Sequence, residues 1–220
     1  MADHPKTKPY HHGNLERALV EAGVKIVETD GASALSVRSV ARAVGVSHAA
    51  PHHHFRDRYE LAAAVAEEGF RQVGVRLEKV IGDTSMDPVE RLTSACLAYV
   101  RFAREHPGLY RSMYAADLSE RLETIDAKNP LSSGRFLSLI QTKAEIFGLF
   151  VRLIREGQEQ SEFRKGSASD LARVATALAH GLSHEFIDEQ LGSRINQHKH
   201  AREVFALMIK GLAAEKTSRG

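Results

Sequence analysis

Tryptophan is absent from the 220-residue sequence, cysteine occurs once, and charge of one sign does not dominate. No apolar run approaches the ~20 residues that a bilayer-crossing helix needs. The longest such stretch, Ile146 to Ile154, is interrupted by Gly148 and Arg152. This excludes a membrane partner. The lone Cys96 cannot close an internal disulfide, and in its apolar helical setting it reads as a small buried residue of a reducing compartment. Residues Met1 to Lys6 lack the apolar core of a secretory signal, so a cytoplasmic location is expected. Strand-like alternation is scarce and no internal repeat is visible. No carboxylate pair, nucleophile beside a base or phosphate-cradling loop stands out, so neither an enzymatic site nor a cofactor is expected.

What is present fits an ordinary globular chain, with 43% hydrophobic and 26% charged residues. Thirty cations against 28 acids leave a net charge of only +2, so bulk electrostatics do not single out nucleic acid. Their distribution says more. Between Gly31 and Tyr59 the cations Arg38, Arg42, Arg56 and Arg58 face the single acid Asp57, and seven of the 12 histidines precede Phe55. A solvated basic face explains this local bias as well as a nucleic-acid surface does.

Helical periodicity with capping signals runs through the chain. Leu15, Leu19, Ala22, Gly23, Ile26 and Val27 share one stripe, stopped by Thr29-Asp30-Gly31. Ser36 is placed to cap the next helix, with Leu35 and Val40 as a hydrophobic staple, and Gly45 ends it. A short helix is expected after Ser47, ending near Phe55. A long one follows from about Asp57 to Ile81. Asp87-Pro88-Val89-Glu90 combines a cap, a proline at the first helical position and a carboxylate at the third. That helix ends near His106, and Pro107 opens another. Residues 126–134 read as the longest mid-chain loop. Further helices are expected from Phe136 to Gln158, from Ser167 to about Leu191, and from Asn196 to Ala214. The chain is therefore predicted to be all-α. Its parts are a flexible basic arm (1–12), a three-helix DNA-binding domain with a helix-turn-helix (13–56), a larger helical ligand-binding and dimerisation domain (57–214) and a frayed tail (215–220).

The informative unit is Ser36 to Phe55. In a helix-turn-helix the first helix braces on the DNA backbone and the second presents its N-terminal residues to the major groove. Gly45 permits the tight turn and Val46 anchors it inward. Ser47 supplies a cap and a phosphate contact, while His48, Ala49 and Ala50 are small or polar enough to approach base edges. Pro51 removes one intrahelical bond, to the Ser47 carbonyl, and sets the segment rigidly. His52 and His53 face outward and Phe55 inward. Arg38 is placed to reach a phosphate or base edge. Lys6 and Lys8 suit a flexible arm that follows the backbone, though a disordered tail explains them equally. Consecutive helical residues face different ways, so His52-His53-His54 does not make a metal site.

Tyr10-His11-His12-Gly13-Asn14-Leu15, then Ser36 through Pro51, then His54-Phe55-Arg56-Asp57-Arg58 and Leu61 resemble the DNA-binding domain of the TetR family of bacterial transcriptional regulators. The family's usual tyrosine is His52 here and its usual lysine is Arg58, which keep a donor and a charge at those DNA-contacting positions. Glu105-His106-Pro107-Gly108-Leu109-Tyr110 and His180-Gly181 resemble the subgroup named for a Trp-His-Gly motif, with Thr176 in place of the tryptophan. The resemblance implies a homodimeric repressor that binds a palindromic operator in double-stranded DNA and is released by a small-molecule effector. It also implies an effector pocket in the regulatory domain, for which Phe102, His106, Leu109, Met113, Tyr114, Phe147 and Phe150 are the candidates beside their role as core.

Leu171, Val174, Ala175, Leu178 and Leu182, with Val204, Phe205, Met208 and Leu212, are expected to form a four-helix dimer seam. His180 and His184 stand four apart, but Gly181 lies where a zinc protease needs glutamate. Two other readings stay open. One is a metal-responsive regulator using His106, His180 and His184. The other is a helical carrier or enzyme whose N-terminal corner is structural.

Overall fold

The computed structural model describes residues 12–115, 118, 120, 134–188 and 196–214. The arm with Lys6 and Lys8, most of the expected 126–134 loop, the segment around Leu191 and the tail at 215–220 lie outside them. The described helices are α1 (His12–Thr29), α2 (Val37–Val44), α3 (Arg58–Ile81), α4 (Pro88–Glu105), α5 (Pro107–Met113), α6 (Gly134–Glu159), α7 (Ala168–Ile187) and α8 (Gln197–Leu212). Short 3₁₀ turns occupy Ala32–Ala34 and Ala50–His53. The only extended pairing among the described residues is one antiparallel bridge between Phe163 and Ala213, which ties the end of α8 to the turn after α6. No described helix is long and apolar enough to cross a membrane.

Local chemistry sets the helix ends. The Ser36 hydroxyl accepts the Ser39 N–H at 3.0 Å, and the Ser39 hydroxyl accepts the Ser36 N–H at 2.9 Å, a reciprocal capping box. Gly45 closes α2 in the left-handed region (φ 77°, ψ 31°), where an L side chain is strained. Asp57 caps α3 through the Tyr59 and Glu60 N–H groups. Asp87, Pro88 and Glu90 start α4 in the manner their order predicts.

In the N-terminal unit, α1 packs on α2 and α3, and its Leu19, Ala22 and Val27 join Val37, Val40 and Phe55 in one core. In the larger unit α3 packs chiefly on α6 and also on α4 and α5, while α4 lies against α7 and α8. Each fully buried large side chain, such as Phe55, Phe102 or Phe150, contributes about 1.5–3 kcal/mol of transfer free energy.

The two units meet tightly where α1 ends on the start of α5. A Cβ at Gly108 would lie 2.1 Å from the Val27 carbonyl oxygen, so only glycine fits. The Gly108 N–H donates to Glu28 Oε2 at 3.1 Å, and His106 Nδ1 lies 3.4 Å from Glu28 Oε1. Arg76 of α3 donates to His106 Nε2 at 3.2 Å and to Glu105 at 2.5 Å. The end of the first helix is thereby keyed to the α4–α5 corner.

Candidate functional site

After Gly45 the chain turns with the Val46 N–H donating to the Ala41 carbonyl at 3.0 Å. Val46 is half-buried, as an anchor requires. The following segment differs from the expected α-helix. Residues 48 and 49 form a turn, and Ala50–His53 is a 3₁₀ helix. Pro51 is the physical reason. Having no N–H, it cannot donate to the Ser47 carbonyl, and that carbonyl instead accepts the Ala50 N–H at 3.1 Å. Tighter bonds continue from His52 to Ala49 and from His54 to Pro51. The predicted side-chain cap by Ser47 is corrected accordingly. The residue preceding the 3₁₀ helix is Ala49, which makes no side-chain cap bond, and Ser47 engages the turn through its backbone.

The surface remains open. Ser47, His48, Ala49, His52 and His53 are exposed, and Ala50 is half-buried. Pro51 and Phe55 are buried beneath and hold the segment to the core. Arg38 is exposed in the first turn of α2, and exposed Arg58 opens α3 with its guanidinium 5.0 Å from the centre of the Tyr59 ring. These side chains offer donors and positive charge to a polyanion, and the two alanine methyls suit a thymine methyl.

Of the residues expected to line a pocket, Phe102, Leu109, Met113 and Phe150 are buried in the core. His106 is engaged at the α1 junction by Glu28 and Arg76. Half-buried Phe147 lies under the Arg173 guanidinium. Tyr114 belongs to a polar cluster inside the larger unit. Its hydroxyl is 2.5 Å from that of Tyr99, which accepts from Tyr110 at 3.4 Å, and the Tyr110 hydroxyl is 2.6 Å from His180 Nδ1. Burial pushes all three phenols up, Tyr110 to about 12, so they stay protonated at neutral pH. Burial, then the charges of His184 and Lys143, hold His180 below the usual histidine value. Tyr99 and Tyr110 were not apparent as site residues in the sequence; Tyr110 closes the Glu105–Tyr110 motif, but no local signal marks Tyr99.

On the proposed seam, Leu171, Ala175, Leu182, Phe205, Met208 and Leu212 are buried within their own protomer. Their apolar periodicity reflects packing of α7 and α8 onto the bundle. Val174 remains 49% exposed, and Leu178 and Val204 are half-buried. Leu207, not among the expected seam residues, is 67% exposed. Among the described residues no group of three or more His, Cys, Asp or Glu side chains is gathered for a metal.

Comparison with known proteins places this architecture. Residues 19–65 match the model described as bacterial regulatory proteins of the tetR family, and residues 92–212 match that of the tetracyclin repressor-like C-terminal domain. The HTH-type transcriptional repressor DhaR of Mycobacterium sp. strain GP1 is 25% identical over 157 residues, 71% of this chain and 74% of that protein. A Rhodococcus sp. RHA1 protein of unknown function shares 30% identity and superposes with a TM-score of 0.76, covering 94% of this chain and 100% of the other. The ketosteroid transcriptional regulator KstR2 of Mycobacterium tuberculosis shares the fold at 18% identity and a TM-score of 0.63, covering 91% and 95%. With both its units matched by the family's own models, the chain belongs to the TetR family of bacterial transcriptional regulators.

Proposed function

We propose that this regulator is a cytoplasmic homodimeric repressor, binding a palindromic operator through Ser47 to His53 and released when a small molecule enters its larger unit. The observation that carries the reading is the exposed turn over Ser47–His53, held rigidly by buried Pro51 and Phe55 and flanked by exposed Arg38. Two such turns related by a twofold axis would read half-sites about 34–36 Å apart. The long α3 joins this unit to the bundle, so an effector that shifts α3 changes that spacing. His180-Gly181 and the His106-Pro107 corner support membership in the Trp-His-Gly subgroup. The seam of the dimer is drawn over the outer faces of α7 and α8, where Val174 and Leu207 are exposed.

Fluorescence anisotropy with a selected duplex tests the DNA reading. Arg38→Ala is expected to weaken binding and to lower the salt-dependence slope by about 1, as loss of one phosphate contact does. An unchanged affinity and slope for both Arg38→Ala and a His48→Ala, His53→Ala double variant would exclude this surface.

A further inference from the structure

Lys143 of α6 is an unusual cation among the described residues. It is half-buried, and its ammonium lies 5.4 Å from the centre of the Phe70 ring and 5.8 Å from that of Tyr114. Burial alone lowers its pKa, and among the described residues no carboxylate pairs with it. An acid beside the cluster's His184 is engaged elsewhere. Asp188, 3.9 Å from His184, is held by Arg111 at 2.8 Å. Partial desolvation of an ammonium costs stability, and here the only compensation among the described residues is the two ring contacts.

Hydrogen-bond arithmetic points to the same place. Tyr110 donates to Tyr99, so the Tyr110 oxygen accepts from His180 Nδ1, while in the Tyr99–Tyr114 contact either hydroxyl can be the donor. Each hydroxyl has one proton, so when Tyr99 donates to Tyr114 the series ends on the Tyr114 O–H, which has no further acceptor among the described residues. That donor belongs to the same ring that Lys143 overlies. One face of the cluster therefore combines the Tyr114 hydroxyl with a cation that has no carboxylate partner among the described residues, beside Phe70, whose centroid is 5.4 Å from that of Tyr114.

We propose that the effector is an organic carboxylate, its anionic group held by Lys143 and the Tyr114 hydroxyl and its apolar body lying against Phe70. This deepens the effector reading above and rests on it. The positive charge of Lys143 disfavours a cationic ligand in the same place. The tyrosine–histidine series orients Tyr114, so Tyr99, Tyr110 and His180 are positioning residues.

The absence of tryptophan makes the test direct, because intrinsic emission comes from five tyrosines, three of them in this cluster. The full-length protein is titrated with benzoate and octanoate, with their methyl esters, and with tetramethylammonium. The expected result is saturable change with at least one carboxylate, at least about tenfold weaker for its ester and for Lys143→Met, and retained by Lys143→Arg. Thermal melts check the fold of Lys143→Met, which is expected to be no less stable than the parent because it removes a half-buried charge that has no carboxylate partner among the described residues. Carboxylate and ester binding equally, no response to either carboxylate, or preference for tetramethylammonium overturns the proposal. Binding of the carboxylate with no change in operator affinity leaves this site standing and overturns its role as effector site.

Discussion

Arg135, in the first turn of α6, pairs with Glu16 of α1 and sets its guanidinium 5.6 Å from the centre of the Phe55 ring. Glu16 also lies 3.6 Å from His54 Nδ1, at the end of the recognition turn. Two turns further along α6 stands Lys143. One helix thus connects the polar cluster with the floor of the segment proposed to contact DNA, by a route separate from α3.

Both members of the Arg135–Glu16 pair are partly exposed, so the pair is worth little in isolation. A double-mutant cycle with Arg135→Ala and Glu16→Ala, followed by urea unfolding, is expected to give a coupling of about 0.5–1 kcal/mol. Additive single losses would remove the second connection.

The α1–α5 junction has stricter tolerances. Gly108→Ala would drive a methyl into the Val27 carbonyl and the Glu28 Cα, which are backbone atoms and cannot swing aside. A loss of about 1–3 kcal/mol is expected, the range of overpacked cores. A melting temperature equal to that of the parent protein would show that the two units are not seated as described.

Gly181 presents the opposite case. It lies inside α7, exposed, with nothing within 4 Å of an added Cβ, one face of the helix that also carries Val174. Gly181→Ala is expected to stabilise the protomer by about 0.5–1 kcal/mol through helix propensity. If this face meets its twin, Gly181→Arg or Val174→Glu shifts the dimer toward monomer in sedimentation velocity while secondary structure is kept. Unchanged sedimentation of both would move the seam elsewhere.

His180 supplies a pH dependence. Its folded-state pKa lies below the ordinary value, chiefly through burial and then through His184 and Lys143. Above about pH 6.5 the ring is neutral in both the folded and unfolded chain and contributes no slope. As pH falls below that value the unfolded chain takes up the proton first, so stability declines until the folded ring also protonates. Melting temperatures from pH 7.5 to 5.5 should fall, and His180→Gln should flatten that part of the profile. An identical slope in the variant would assign the effect to other groups.

Much of the fold was legible because helix ends are written in adjacent residues. Ser36 with Ser39, Gly45, and Asp87 with Pro88 each act within one turn. The recognition segment was harder. Its outward residues followed from position, but the choice of a 3₁₀ turn depended on whether the missing N–H of buried Pro51 outweighed the local helical preference. The seam was hard to read for a different reason. Leu171, Ala175 and Phe205 show the same apolar period whether they face their own bundle or a second copy, and burial alone separates the two. The polar cluster was the least legible feature. Tyr110 and His180 are 70 positions apart, and only packing of α5 on the bundle brings them within 2.6 Å.

The most direct measurement is selection of bound sequences from random duplex DNA by the full-length protein. Enrichment of an inverted repeat with half-sites one helical turn apart is expected, weakened for a protein carrying Arg38→Ala and His48→Ala. No enrichment, or enrichment that is indifferent to those changes, would contradict a dimer reading DNA through the Ser47–His53 turn.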